Sequence, residues 1–410
     1  MKKLFALLLS LAMVLALVAC GQKDPTPDTP DTPDDPQTKV EYKVAMITDY
    51  GDITDQSFNQ TTYEACKAFA EDNSIEFSYF KPAGDNTADR VAMIEKAVDE
   101  GFNVIVMPGY AFGGAIVEAA PEFPDVKFIA LDVAAGDLLE TAVAKAGEAY
   151  DYTPENWDLN KYVDMSNVYC AVYQEELCGY MAGYAAVKLG YKNLGFLGGM
   201  SVPAVVRYGY GFVQGVDAAA ADLGLTDVKL NYIYGGQFFG DADITAVMDT
   251  WYQGGTEVVF ACGGGIYTSA VDAAKKVNAK VIGVDVDQAG VIAKYAGVDG
   301  MTVTSAMKGL YPATYDTLTD VIVNGNWDKY VGKIATLGLV SGTDPEANYV
   351  QIPMGDGTQW SDSFTQDDYK AMVKDMFDGK ITVSNNTSSD VTAASFATVI
   401  TVDDQGSIKG

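Results

Sequence analysis

An internal repeat narrows the fold of this chain more than any other feature. The segment from Gly101 through Val104, Ile105, Val106 and Met107 to Gly109 is matched by Gly255 through Val258, Val259, Phe260 and Ala261 to Gly263, with glycines and apolar run at the same offsets. The next strand repeats too. Lys127-Phe-Ile-Ala-Leu-Asp132 stands against Lys280-Val-Ile-Gly-Val-Asp285, each with an aspartate five residues after a lysine. Self-similarity of this kind marks a repeated supersecondary unit. Short apolar runs at 44–47, 104–107, 128–131, 168–172, 194–197, 258–261 and 281–284 read as buried strands. Stretches of helical period, such as 88–99 and 266–277, lie between them. Strand alternating with helix specifies parallel sheets with helices on both faces, so the expected class is α/β, in two similar lobes. Open α/β sheets bind ligands beyond the carboxyl ends of their strands. Two such edges facing one another would form a cleft that Asp132 and Asp285 enter from opposite sides. The competing reading is that each aspartate caps the loop or helix that follows.

The N-terminal residues address the chain. Lys2 and Lys3 precede a run of 16 almost purely apolar residues, 4–19, which ends in Leu17-Val18-Ala19-Cys20. A positive start, an apolar stretch and a small-residue cleavage site define a secretory signal, and the run is shorter than the roughly 20 residues of a spanning helix. The site resembles the bacterial lipobox, which implies that residues 1–19 are removed and Cys20 is lipidated, anchoring the chain to the cell membrane on its extracytoplasmic side. Residues 21–40 hold five prolines and five aspartates, a composition that stays extended and buries nothing. Residues 20–40 are therefore expected to be a tether. Beyond it, lobe 1 is expected at 41–167 plus about 302–335 and lobe 2 at 168–301 plus about 336–385. The Ser-, Thr-, Asn- and Asp-rich residues 386–410 form a C-terminal extension, either a surface tail or an added strand pair.

Composition excludes several function classes. The formal net charge is −29, whereas nucleic-acid binding needs clustered Lys and Arg to neutralise phosphates. The sequence contains no histidine, which removes Ser-His-Asp and Cys-His catalysis and histidine-ligated zinc. Cys66, Cys170, Cys178 and Cys262 lie inside expected strands or helices without CxxC spacing; buried free thiols are expected rather than a disulfide framework. No metal, cofactor or catalysed reaction is expected.

The segment from Val44 to Gln60, with Asp49, Gly51, Asp55, Ser57, Phe58 and Asn59, resembles the opening motif of the basic membrane protein family, substrate-binding lipoproteins of the purine nucleoside receptor type. Four more blocks agree in order: Gly195-Phe-Leu-Gly-Gly-Met200 with Tyr210-Gly-Phe-Val-Gln-Gly215, Val258 to Gly264, Ile282 to Gln288, and Thr304 to Lys308. The resemblance spans about 42–385. It implies a type I periplasmic-binding-protein fold, two Rossmann-like lobes joined by a hinge, that captures a purine nucleoside (guanosine, inosine or adenosine) and delivers it to an ABC permease as a tethered monomer. It also implies residue roles. Phe58 would stack on one face of the base. Phe238 would cover the other, from the loop Tyr234-Gly-Gly-Gln-Phe238-Phe239-Gly-Asp241. Asp49 and Asn59 would bond the polar edge of the base, and Asp132, Asp285, Gly263 and Lys308 would hold the ribose. The loop departs from the family pattern of one Phe followed two residues later by Asp: two Phe are adjacent, and Asp241 stands three residues after Phe238. The chemistry agrees with the resemblance, since a flat base asks for aromatic faces and vicinal hydroxyls ask for carboxylates.

Each candidate has a plainer reading. Ser57 is expected as the N-cap of the helix starting near Phe58 rather than as a ligand contact, and Asp55 as charge in its first turn. Phe58 and Phe239 could be packing residues, Lys308 a surface lysine, and Gly263-Gly264-Gly265 a tight turn into a helix. That glycine run fits neither GxGxxG nor GxxxxGK[ST], so a phosphate-binding enzyme is a weak rival. Asp285-Val286-Asp287 lacks what a nucleoside-hydrolase calcium loop needs. The same fold holding a sugar, a pyrimidine nucleoside or a flavin, or serving as a surface sensor or adhesin, stays open at this point.

Overall fold

Apolar runs of five or six residues alternate with amphipathic stretches through most of the chain, and in the computed structural model they become strands and helices in strict succession. The structure describes residues 41–49 and 51–409; the leader, Cys20 and the whole tether lie outside the described residues. The first half runs β1 (Lys43–Ile47), α1 (Phe58–Asn73), β2 (Glu76–Phe80), α2 (Thr87–Asp99), β3 (Val104–Pro108), α3 (Phe112–Ala119), β4 (Lys127–Leu131), α4 (Ala135–Lys145), α5 (Leu159–Tyr162) and β5 (Val168–Tyr173). The second half repeats the order: α6 (Glu175–Lys188), β6 (Asn193–Gly198), α7 (Pro203–Asp222), β7 (Lys229–Tyr234), α8 (Ala242–Gln253), β8 (Val258–Cys262), α9 (Tyr267–Val277), β9 (Lys280–Asp285), α10 (Ala289–Ala296) and β10 (Thr302–Lys308). Then follow α11 (Leu310–Leu318), β11 (Lys333–Leu337), β12 (Val350–Gln351), α12 (Gln366–Phe377) and β13 (Thr401–Ser407).

Two sheets result, ordered β11-β5-β4-β3-β1-β2 and β12-β10-β9-β8-β6-β7-β13. Inside both, the five repeated strands take the same order, and every pairing is parallel except β10 with β12. The matched glycine segments hold β3 and β8, which sit centrally and are buried along their whole length. The repeat extends to the backbone. Gly109 and Gly263 both have positive φ, +127° and +154°, and Asp132 and Asp285 are both left-handed at +59° and +65°. Cys66, Cys170, Cys178 and Cys262 are buried and unpaired.

The expected lobe boundaries are displaced by one strand. Residues 168–173 form β5 and pair with β4 in the first sheet, and residues 302–308 form β10 and pair with β9 in the second. The chain crosses between sheets only after these strands, because each lobe completes its fifth strand before leaving it. The crossovers lie side by side. Gln174 N–H donates to Leu337 O (2.9 Å), Gly309 N–H to Tyr349 O (2.7 Å), and Tyr349 N–H to Gly338 O (3.0 Å). Three adjacent connections that bond to one another form a hinge.

Helix α6 follows the first crossover and packs on α7 of the second lobe. Both carry glycines four residues apart. A Cβ on Gly179 or Gly183 would strike the backbone oxygens of Tyr208 or Phe212, and one on Gly211 or Gly215 those of Glu176 or Tyr180. The helices approach backbone to backbone because no side chain stands between them.

The extension is neither a free tail nor a strand pair. Residues 401–407 form a single strand, β13, parallel to β7 at the edge of the second sheet.

Candidate ligand-binding site

The carboxyl ends of the two sheets face each other, and one cavity of about 610 Å³ lies there, lined from both lobes. That volume falls within the roughly 300–1,000 Å³ usual for small-molecule pockets. All eight candidate residues line it. Asp49 follows β1, Phe58 and Asn59 open α1, and Asp132 follows β4. From the other lobe, Phe238 follows β7, Gly263 follows β8, and Asp285 and Lys308 end β9 and β10.

Lys308 is the centre of the charge distribution and is 5% exposed, so the surface-lysine reading fails. Its ammonium donates to Asp132, and lies 3.5 Å from Glu175 Oε1 and 3.8 Å from Asp285 Oδ1. The Phe58 ring centroid is 4.7 Å away, with Tyr173 and Tyr208 at 5.3 and 5.7 Å. Burial works against the charge, but the carboxylates of Asp132, Asp285 and Glu175 outweigh it and hold the Lys308 pKa above its ordinary value. Burial pushes the Asp132 carboxyl up to about 6, the Lys308 charge opposing and Glu175 adding to the rise. Glu175 also accepts from Arg207 Nε at 2.7 Å. Lys308, Asp132, Glu175, Asp285 and Arg207 therefore form one network of ionisable groups at the cleft. Sequence reasoning missed Glu175, Arg207 and Tyr208. Glu175 and Glu176 look like ordinary acidic residues of a helix first turn; Arg207 is the only basic residue of α7, a local signal that names no partner.

Helix α1 is capped by an unexpected residue. Asp55 accepts from the N–H groups of Ser57 (2.9 Å), Asn59 (2.9 Å) and Gln60 (3.1 Å). Ser57 holds the N-cap position without a capping bond; its hydroxyl donates instead to Asp285 Oδ2, 2.5 Å away in the other lobe. A further interlobe bond runs from Gln288 Nε2 to Gln56 O at 3.1 Å. Asp285 also accepts from the Tyr208 hydroxyl at 3.3 Å. It therefore caps no following helix.

The polar corner of lobe 1 is built on Asp49. Burial pushes its carboxyl up to about 6, against hydrogen bonds from Gly51 N–H (2.6 Å) and Asn59 Nδ2 (3.1 Å). Asn59 Nδ2 also donates to Asp55, which fixes the orientation of the amide. Among the described residues nothing donates to Asn59 Oδ1 or to Asp132 Oδ1, although both are buried. Both are buried acceptors without a donor, on residues that line the cavity.

Opposite them, Phe238 rests on a glycine floor. A Cβ on Gly199 or Gly263 would strike its ring. Gly265 N–H donates to Phe238 O at 2.9 Å and Gly263 O accepts from Ile266 N–H at 3.0 Å, so the glycine run is both a turn and a floor. Phe239 is 61% exposed and bridges to Gly265. Phe238 and Phe239 both line the cavity, but Phe238 is the one packed against it.

Two lobes built on mainly parallel sheets, with three hinge connections and a cavity between their strand ends, define the type I periplasmic-binding-protein fold. The crystal structure of an ABC transporter solute-binding protein from Aeropyrum pernix K1 superposes with a TM-score of 0.63 over 85% of this chain and 95% of that one, at 18% identity. This likeness concerns the fold alone. The family of PnrA-like ABC transporter substrate-binding proteins, Bmp, matches residues 42–344, and the chain belongs to it. The ABC transporter nucleoside-binding protein BmpA of Lactococcus lactis subsp. cremoris is 25% identical over 389 residues, covering 92% of this chain and 96% of the relative. An uncharacterized lipoprotein of Pyrococcus abyssi is 26% identical over 320 residues, 74% of this chain and 69% of the relative. Among the described residues no helix is long and apolar enough to cross a membrane.

Proposed function

We propose that this chain is a lipid-anchored receptor that binds a purine nucleoside between its lobes and hands it to an ABC permease, without catalysing a reaction. The observation that carries the reading is the composition of the cavity. Phe58 and Phe238 come from opposite lobes, and Asp49, Asn59, Asp132, Asp285 and Lys308 stand around them. A nucleoside is a flat base joined to a polyol. Stacking contributes roughly 1–3 kcal/mol per base, and a hydroxyl donating to a carboxylate about 1.5–3 kcal/mol. Micromolar affinity needs about 8 kcal/mol net, within reach of two stacks and a few such bonds. In this reading Asn59 Oδ1 accepts from the base and Asp132 Oδ1 from a ribose hydroxyl, which satisfies both buried acceptors. The name of the Lactococcus relative points to the same ligand class. Anchoring through Cys20 accords with the lipoprotein relative. Lys308 occupies the middle of the carboxylates, where its ammonium does the work of a bound cation.

The test is calorimetric titration of residues 41–410 with inosine, after unfolding and refolding to strip carried-over ligand. One site per chain at micromolar affinity or tighter supports the reading. Absence of heat and of thermal stabilisation, in protein shown to be refolded, rejects it. Phe58→Ala should weaken inosine, guanosine and adenosine alike, because stacking is insensitive to ring substituents; a loss confined to one nucleoside would contradict the stacking role.

A further inference from the structure

The C-terminal segment lies past residues 42–344, which the family model matches, yet it reaches the loop that carries Phe238. Its course is tightly held. The buried carboxylate of Asp217 accepts from Thr398 N–H (2.8 Å), Thr398 Oγ1 (2.5 Å), Val399 N–H (2.8 Å) and Ile400 N–H (3.2 Å). Phe396 packs on Tyr210 with ring centroids 5.0 Å apart. Trp251 Nε1 donates to Gln405 Oε1 at 3.1 Å. Strand β13 then runs beside β7 to its carboxyl end, where Ile408 N–H donates to Tyr234 O at 2.8 Å.

This register delivers Lys409 to the loop 235–241. Its ammonium pairs with Asp241 and donates to Gln237 Oε1 at 3.0 Å. Gln237 Nε2 in turn donates to Phe239 O (2.9 Å) and Asp241 Oδ2 (3.0 Å). The Lys409 backbone also fills the space a Cβ on Gly236 would take. Gly236, Gln237, Phe238 and Phe239 all line the cavity. Asp241 is already committed on its other side, accepting from Ile244 N–H at 3.0 Å as the N-cap of α8. The lysine therefore ties a cavity loop to a fixed helix end.

We propose that Lys409 is a positioning residue for ligand specificity: delivered by β13, it braces the Gln237-Phe238-Phe239 turn and so sets the aromatic wall of the cavity. The loop carries two adjacent aromatic residues, Phe238 and Phe239, and the brace holds Asp241 just after them. The part of the proposal that concerns affinity rests on the nucleoside reading above; the part that concerns the loop does not.

The experiment therefore has two arms on the 41–410 protein. In the ligand-free protein, amide hydrogen exchange is followed for Lys409→Ala and Lys409→Arg. Faster exchange across 235–241 in Lys409→Ala, with β6 and β8 unchanged and Lys409→Arg close to wild type, is expected; equal exchange in all three overturns the brace. In the second arm, Lys409→Ala should lose about fivefold in inosine affinity and leave the affinity for methyl β-riboside, which has no base, unchanged. Equal loss for both ligands, or none for either, overturns the specificity role even where the loop is shown to loosen. Wild-type protein that binds neither compound removes the nucleoside reading and the affinity arm with it, while the exchange arm still decides the brace.

Discussion

Asp132 and Asp285 hold equivalent places in the repeat, and both sit in the left-handed region. That conformation costs a non-glycine residue roughly 1–3 kcal/mol and persists where surrounding contacts impose it; aspartate tolerates it better than most. Here the contacts are the bond from Lys308 to Asp132 and those from Ser57 and Tyr208 to Asp285. Lys308 is the residue on which the network depends. Replacing it by Met leaves Asp132, Glu175 and Asp285 buried together with only Arg207 against them. Breaking a buried ion pair on one side costs about 3–5 kcal/mol, so Lys308→Met should be destabilised by about that much at pH 7.5. Part of the loss should return at pH 5.5, where Asp132, pushed up to about 6 by burial, takes up a proton. Urea unfolding at the two pH values checks this; wild-type stability at both would show that the network contributes nothing.

At the scale of elements, α1 and the α6–α7 pair show how much of a helix is decided elsewhere. The start of α1 was legible as a start, but the residue that caps it was not. Ser and Asp cap about equally well by type, and Asp55 takes the role while the Ser57 hydroxyl donates to Asp285 across the cleft. The α6–α7 contact depends on glycines whose importance lies in the partner helix. Gly211→Val would drive a branched side chain into the backbone of Glu176, and overpacking of this kind costs about 1–3 kcal/mol. The urea midpoint should fall accordingly. Ligand affinity should fall as well, because α6 carries Glu175 in its first turn, 3.5 Å from Lys308. An unchanged midpoint would mean that the helices separate without cost.

For the molecule as a whole, the buried carboxyls couple stability to pH. Burial pushes Asp137 up to about 7, and Asp49 and Asp132 up to about 6. A carboxyl with a raised folded pKa contributes stability that is complete below its unfolded value and lost as pH rises through the folded one. The carboxylates with lowered pKa, such as Asp241 and Asp320, lose their contribution only as pH falls below the ordinary carboxylate range. Between pH 8 and pH 5.5 the raised group governs. The Tm of ligand-free protein should therefore rise by about 2 °C or more on going from pH 8 to pH 5.5, and Asp137→Asn should flatten the rise. A Tm that falls over this interval would reverse the assignment.

The amino-acid sequence by itself determined the repeat, the α/β class and the cavity-lining residues at the strand ends. Strand length, glycine position and the Lys-to-Asp spacing are local properties, and local properties recur wherever the unit does. It also placed β3, β4, β8 and β9 within a residue or two. Only the tertiary structure decided where the chain crosses between lobes, because β5 and β10 look alike whether they end one sheet or begin the next. It alone decided that Lys308 is buried among Asp132, Glu175 and Asp285, that Ser57 bonds across the cleft, and that Lys409 reaches the loop of Phe238. Apart from Lys308 with Asp285, these are contacts between residues more than a hundred positions apart. The energy of each belongs to the pair in space, and neither partner carries a mark of it in its own neighbourhood.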